Sequence, residues 1–254
     1  MDKIILGPCA LESLTSSIKI LEDVLPIVKN KDFYFKASYD KANRTSHNSK
    51  RGLGYIDSML IFKDLKKTYP NLKITTDIHT EEIMRLVKDM GVIDMVQIPA
   101  FLCRQTDLIR ACVDTGKIIN IKKGQFLAPW DVGGILTKTE GAKRVWITER
   151  GTSFGYNTLV VDFTGMAYIM DNYGTDLIFD VTHSVQKPGG LGGSSGGNRL
   201  YVPRLAKAGA AAGIRSFFIE VHKDPNVAPS DGPNMLKLDD FEKLASDLKK
   251  HGSI

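Results

Sequence analysis

Cys9, His183, Glu220 and Asp231 offer a thiolate, an imidazole and two carboxylates. That donor set suits one divalent ion of borderline softness, of zinc, iron or manganese type. The four lie far apart in the chain, so they act together only if the fold gathers them. By residue type alone, Cys9 could equally be a buried, inert thiol. His183 and Glu220 could equally be an acid/base pair. A second set is basic: Lys36, Lys41, Arg44, Arg104, Lys122, Lys123 and Arg150. Left unpaired in one place these charges would repel, so their gathering implies an anionic ligand. A phosphate monoester carries roughly −1.5 to −2 charges near neutral pH. Two phosphorylated substrates, or one phosphate plus carboxylates, would balance the set. The segment 187–198, KPGGLGGSSGGN, reads either as a phosphate cradle of backbone N–H groups or as a lid.

The elements that must position these residues alternate. Short β-rich runs stand at 3–6, 32–37, 72–77, 94–98, 118–122, 145–149, 176–181 and 216–221. Helical spacing of apolar residues marks 13–29, 55–67, 81–89, 105–113, 199–212 and 239–249. The stretch FGYNTLVVDF (154–163) reads as loop or strand. Eight strands in 254 residues leave about 32 residues per unit, the size of one βαβ step. The reading is α/β, a parallel (β/α)8 barrel forming a single domain over residues 1–254, with an open doubly wound sheet as runner-up. No GxGxxG and no GxxxxGK[ST] supports the open sheet.

Each candidate strand ends in polar residues. Cys9 and Glu12 follow the first, and Lys36, Ser38, Asp40 and Lys41 the second. Asp77 and His79 close the third, and Gln97 the fourth with Arg104 beyond. Lys122 and Lys123, then Glu149 and Arg150, close the next two. Asp180 and His183, then Glu220, His222 and Asp231, close the last two. A barrel brings all these ends to one face, where active sites are built. Phe33, Phe35, Trp130 and Trp146 read as packing residues. His47 and His79 receive no role.

Composition closes off other classes. Apolar residues make up 43% and charged residues 25%, ordinary globular usage. No run approaches the ~18 apolar residues of a membrane span. The start, MDKIILGPCALES, lacks the basic and long apolar regions of a signal peptide. The three cysteines form no CxxC pair, which points to a reducing cytoplasm. A net charge of +5 with no basic run argues against nucleic-acid binding.

GPCALES (7–13), KANRTS (41–46), TTDIH (75–79), PAFLCRQTDL (99–108), NIKKGQFLAPWD (120–131), FDVTHSVQKPGG (179–190), GGNR (196–199) and IEVHKDPNVAPSDGP (219–233) run through nearly the whole chain. In this the chain resembles the 3-deoxy-D-manno-octulosonate-8-phosphate synthases. These enzymes condense phosphoenolpyruvate with D-arabinose 5-phosphate on a (β/α)8 barrel, usually a homotetramer. The resemblance implies that Lys36, Ser38, Lys41, Gln97, Ala100, Lys122 and Arg150 surround phosphoenolpyruvate. Asn43, Arg44 and Thr45 would bind the pentose phosphate, with Arg104 reaching it from a neighbouring subunit. Asp77 joins the substrate contacts, and His183, Lys122 and Asp231 the catalytic ones. Cysteine in GPCALES, where one branch of the family has asparagine, suggests the metal-dependent branch, with His183, Glu220 and Asp231 completing the site. The competing readings are the related heptulosonate-7-phosphate synthases, acting on erythrose 4-phosphate, and a non-catalytic anion-binding barrel.

Overall fold

The computed structural model describes residues 2–192 and 194–250, the side chain of Lys250 excepted. Eight strands form the frame: β1 (Lys3–Gly7), β2 (Asp32–Lys36), β3 (Lys73–Asp77), β4 (Met95–Ile98), β5 (Ile118–Lys122), β6 (Arg144–Glu149), β7 (Asp176–Asp180) and β8 (Ser216–His222). Each pairs in parallel with the next, and β8 pairs back to β1 with Lys3 opposite Ser216. The sheet is therefore closed, and the expected barrel stands.

Successive side chains on a strand point to opposite faces, and the sequence uses this fully. One parity carries Ile4, Leu6, Phe33, Phe35, Val96, Ile119, Ile147, Phe179 and Ile219, which pack in one apolar cluster with the helices. The other parity faces the barrel axis and changes character with height. At the floor, Ile5, Tyr34, Met95, Trp146, Ile178 and Phe218 form a separate apolar plug. One step higher the same strands carry buried Lys36, Gln97, Asn120, Thr148, Asp180 and Glu220. Gly7 sits at that level on β1, where an added Cβ would lie 2.2 Å from the Lys36 carbonyl oxygen. Glycine thus permits the close β1–β2 approach that sets Lys36 beside the Cys9 loop.

The connecting helices are α1 (Leu14–Val28), α2 (Tyr55–Thr68), α3 (Glu81–Met90), α4 (Thr106–Val113), α5 (Val132–Thr137), α6 (Phe163–Asn172), α7 (Val202–Ala211) and α8 (Leu238–Lys250). Ser13 caps α1 by accepting from the Ser16 N–H, and Thr80 caps α3 from Ile83. The periodicity marks neither α5 nor α6. The first has six residues, two of them glycine, too few to show a period. The second follows directly on an apolar stretch, and its start is set by the Asp162 side chain, which accepts from Gly165 N–H. The stretch 154–163 resolves into the far strand of a small antiparallel ladder, Thr152–Ser153 with Leu159–Val160. The helix read over 199–212 splits into a short 3-10 turn, Arg199–Tyr201, and α7, with Pro203 in the first turn of α7. Trp146 is fully buried, but Trp130 corrects its packing assignment. It is 63% exposed, edge-on to Tyr168. Among the described residues, no helix is long and apolar enough to cross a membrane.

Candidate active site

A cavity of about 310 Å³ opens at the carboxyl ends of the strands. Lys36, Lys41, Asn43, Arg44, Thr45, Asp77, Gln97, Ala100, Lys122, Arg150, His183 and Asp231 all line it. Residues from seven separate strands and their loops, β2 to β8, thus meet in one place. Ser38 lies just behind, fully buried, donating to Asp77 Oδ2 and accepting from Lys41 Nζ at 3.4 Å. Two cations of the predicted basic set are elsewhere. Lys123 is turned away and pairs with Glu149 at 3.1 Å. Arg104 is exposed and does not line the cavity of its own chain.

The mouth is not a ring of bare cations. Lys36 Nζ donates to Glu220 Oε1 at 3.0 Å and to the Cys9 carbonyl at 2.9 Å. Lys122 pairs with Asp180, and Lys41 stands 3.9 Å from Asp77. Expected repulsion is thereby relieved inside the protein. What remains for a ligand is donor capacity without a partner: among the described residues, Arg150 Nη1 and Arg44 Nε are both buried and unbonded. Burial pushes the Lys122 ammonium down to about 8, against the pull of Asp180. Burial opposes the Asp77 anion as well, but Lys36 and Lys41 outweigh it and hold that carboxyl well below the usual range.

Beneath the mouth, Cys9, Glu220 and Asp231 place one donor atom each within 4.8 Å of one another. Cys9 Sγ donates to Asp231 Oδ2 at 2.9 Å. His183 Nε2 stands 3.8 Å from Glu220 Oε2 and 3.9 Å from Asp231 Oδ2. Donors around one ion at ~2.0–2.3 Å would stand roughly 3.3–3.8 Å apart, so Cys9, Glu220 and Asp231 gather near that spacing, and His183 stands at its outer edge from both carboxylates. The chemistry fits too. Asp180 Oδ2 accepts from His183 Nδ1–H at 2.7 Å, which turns Nε2 toward the two carboxylates. Among the described residues, Glu220 Oε2 is buried and has no hydrogen-bond partner. A buried carboxylate oxygen without a donor, beside a second carboxylate and an imidazole nitrogen, suits a cation between them. Burial pushes the Cys9 thiol up, and Asp231 and Glu220 push it further. A cation would reverse that balance and favour the thiolate. Asp231 itself has φ of +53°, a left-handed conformation unusual outside glycine.

Residues 2–254 match the family model described as the DAHP synthetase I family. The chain belongs to the DAHP synthetase I family. Its relatives there include a 2-dehydro-3-deoxyphosphooctonate aldolase of Rickettsia bellii (strain OSU 85-389), 50% identical over 255 residues. That alignment covers 99% of this chain and 92% of the relative. A protein of the same name from Bartonella tribocorum (strain CIP 105476 / IBS 506) is 49% identical over 253 residues, covering 96% and 88%. Another, from Bartonella bacilliformis (strain ATCC 35685 / KC583 / Herrer 020/F12,63), is 50% identical over 249 residues, covering 95% and 86%.

Within this family member the structure also places residues that the sequence reading left without a role. Asp180 orients both Lys122 and His183. Gln186 accepts from Arg150 Nη2 at 2.7 Å and donates to Asp231 Oδ1 at 2.9 Å, tying the anion side to the cage. Ser230 accepts from Arg44 and donates to Asp231 Oδ2 at 3.0 Å. His79 lines the cavity with Nδ1 held by Tyr39 at 2.9 Å. Asp180 was visible as a strand-end charge. Gln186 and Ser230 lie inside the motifs FDVTHSVQKPGG and IEVHKDPNVAPSDGP, but as uncharged residues they drew no role. The glycine-rich segment contributes Pro188, Gly189, Ser194 and Ser195 to the cavity wall. Its base is pinned where Gln186–Lys187 pairs antiparallel with Gly196–Gly197.

Proposed function

We infer that this chain condenses phosphoenolpyruvate with D-arabinose 5-phosphate and water. The products are 3-deoxy-D-manno-octulosonate 8-phosphate and inorganic phosphate, a step toward lipopolysaccharide sugar. One observation carries the reading: the cavity that holds the unpartnered anion donors is also lined by His183 and Asp231 of the cage, in a chain half identical to 2-dehydro-3-deoxyphosphooctonate aldolases. In the reaction C3 of the enolpyruvate bonds to the aldehyde carbon. A water oxygen bonds to C2, and the C2–O bond to phosphate breaks, leaving the keto acid. The aldehyde oxygen gains a proton, and the second water proton is lost as C2 becomes the ketone.

Lys36, Ser38, Lys41, Gln97, Ala100, Lys122 and Arg150 surround phosphoenolpyruvate in this proposal, beside Asp77. Asn43, Arg44 and Thr45 hold the pentose phosphate. The cations bring two anions within bonding distance and stabilise charge that develops as phosphate leaves. Cys9, His183, Glu220 and Asp231 would hold a divalent ion of zinc, iron or manganese type. Bound there, it supplies Lewis acidity next to the reacting carbons. Its charge would also turn a nearly balanced mouth into a net positive one, which favours anionic substrates. His183, fixed through Nδ1 by Asp180, offers Nε2 as ligand or proton acceptor. Arg104, exposed on its own chain, completes the sugar-phosphate site of a neighbouring copy in a homotetramer. A cytoplasmic enzyme forming one domain over residues 1–254 belongs to the same proposal.

The test is phosphate release from phosphoenolpyruvate plus arabinose 5-phosphate by chelator-stripped protein, with and without Mn²⁺ or Zn²⁺. Release that requires both sugar and metal is expected. Release without metal would reduce Cys9 to a packing residue. Faster turnover with erythrose 4-phosphate would move the chain to the heptulosonate reaction.

A further inference from the structure

Asn120 and Thr148 are fully buried polar residues inside the barrel, and nothing above gives them a task. One step lower, the same strand faces carry buried Met95 on β4 and Trp146 on β6. Apolar residues would therefore fill this level at lower desolvation penalty. Instead, four side chains on four consecutive strands form one chain of hydrogen bonds. Thr148 Oγ1 on β6 donates to Asn120 Oδ1 on β5 at 2.6 Å. Asn120 Nδ2 donates to Gln97 Oε1 on β4 at 2.9 Å. Gln97 Nε2 donates to Asp77 Oδ1 on β3 at 2.6 Å.

The direction of this chain follows from its end. Asp77 is ionised, so it can only accept. Gln97 must therefore turn its NH₂ to Asp77 and its carbonyl to Asn120. Asn120 must then donate, which turns its own carbonyl to Thr148. Thr148, with a hydroxyl that can donate, is the one member able to terminate the series. We propose that Asn120 and Thr148 are positioning residues that lock the side-chain amide of Gln97 with its N–H groups toward Asp77 and the cavity. Gln97 lines the cavity, and its second N–H is then the donor it presents there, matched to an acceptor oxygen of the substrate. An unlocked amide could present its carbonyl instead and repel a carboxylate or phosphate. The same chain steadies Asp77, whose other oxygen takes the Ser38 hydroxyl and faces Lys41.

The ligand side of this proposal rests on the phosphoenolpyruvate reading, so the experiment separates the two. Thr148→Val keeps the shape of the side chain and removes the terminal donor. Thr148→Ser keeps the donor. The Gln97 side-chain amide signals are followed by ¹⁵N NMR in the full chain without substrate, and phosphoenolpyruvate affinity by calorimetric titration. Thr148→Val is expected to shift the Gln97 amide signals and to weaken phosphoenolpyruvate about tenfold, the scale of one lost hydrogen bond. Thr148→Ser restores both. In a Gln97→Ala background, Thr148→Val has no further effect on affinity, because the residue it acts through is gone. Gln97 amide signals that stay in place in Thr148→Val would overturn the lock. So would wild-type affinity in a variant that only unfolds at lower temperature. Shifted amide signals in a wild-type chain that fails to bind phosphoenolpyruvate would support the lock and overturn the substrate reading.

Discussion

Strands β3 to β6 and strands β7, β8 and β1 both bury polar side chains inside the barrel, and they finish them differently. On the first side Asp77, Gln97, Asn120 and Thr148 bond to one another, and each link has a donor and an acceptor. Among the described residues, none of the polar atoms of these four side chains is buried without a partner, although Thr75 Oγ1 and Trp146 Nε1, one step lower, are. On the second side His183, Glu220 and Asp231 turn acceptors toward a shared point, and Glu220 Oε2 has no donor. A satisfied network is rigid by itself and needs nothing more. A network of converging acceptors is complete only when a cation joins it. The first side is built to orient a ligand, the second to receive an ion.

The largest expected effect breaks the second side. Cys9→Ala removes a donor from the cage, and metal content by mass spectrometry should fall with it. Turnover should drop by more than ~100-fold, beyond the 10–100-fold typical of losing a residue that only orients a ligand. Cys9→Asn should keep a measurable part of that turnover, since a side-chain amide N–H can donate to Asp231 Oδ2 where the thiol does. Full turnover of Cys9→Ala in chelator would remove the cage from the mechanism.

The next effect tests the anchor of the cage. Asp180→Asn leaves the buried Lys122 ammonium without its counter-charge and His183 without its orienting acceptor. Breaking such a buried pair costs about 3–5 kcal/mol of folding stability. Denaturant unfolding should show that loss, and metal affinity should fall in parallel. A stability loss with unchanged metal affinity would show that Asp180 serves Lys122 alone.

A pH titration compares the halves through Lys122, which stands between them. Burial lowers its folded-state pKa to about 8, below the ordinary lysine value near 10.4. Through about pH 8 the folded chain loses this proton while the unfolded chain keeps it. Phosphoenolpyruvate affinity should therefore weaken as pH rises past 8, by about tenfold per pH unit at most. Stability should move the other way. Between 8 and about 10.4 the unfolded chain binds more protons, so this group's contribution to folding stability rises with pH. Calorimetric titration and denaturant unfolding at matched pH separate the two slopes. Affinity that is flat from pH 7 to 9.5 would place Lys122 outside the anion site.

The two halves were not equally legible in the sequence. Barrel strands showed as short apolar runs because both parities are hydrophobic low in the barrel, as with Ile4 and Ile5 or Phe33 and Tyr34. The cage donors showed as reactive residue types at strand ends. The polar chain did not show, because Asn120 and Thr148 sit within runs such as IINIK and VWITE. Their role depends on which strand lies beside which, and only the closed sheet supplies that. The charge balance was misread for the same reason. Lys36 and Lys122 read as free cations, but their partners Glu220 and Asp180 lie far off in sequence.

The smallest expected effect concerns the rim of the satisfied half. Arg104 follows β4 in the same loop as Ala100 and Phe101, which line the cavity, yet Arg104 itself is exposed and points to no ligand of its own chain. Its backbone carbonyl is held by Lys138 Nζ at 2.7 Å, so the loop carries it in a fixed place. If a second copy presents its cavity to this side chain, Arg104→Ala removes one charged contact to the sugar phosphate. Loss of one such contact weakens binding by roughly tenfold. Arabinose 5-phosphate should lose that affinity in titration while phosphoenolpyruvate keeps its own, and mixing Arg104→Ala with an Arg44→Ala chain should restore a fraction of sites. That complementation needs two copies sharing one site. Equal loss for both ligands, or no recovery on mixing, would return Arg104 to the surface of a self-sufficient barrel.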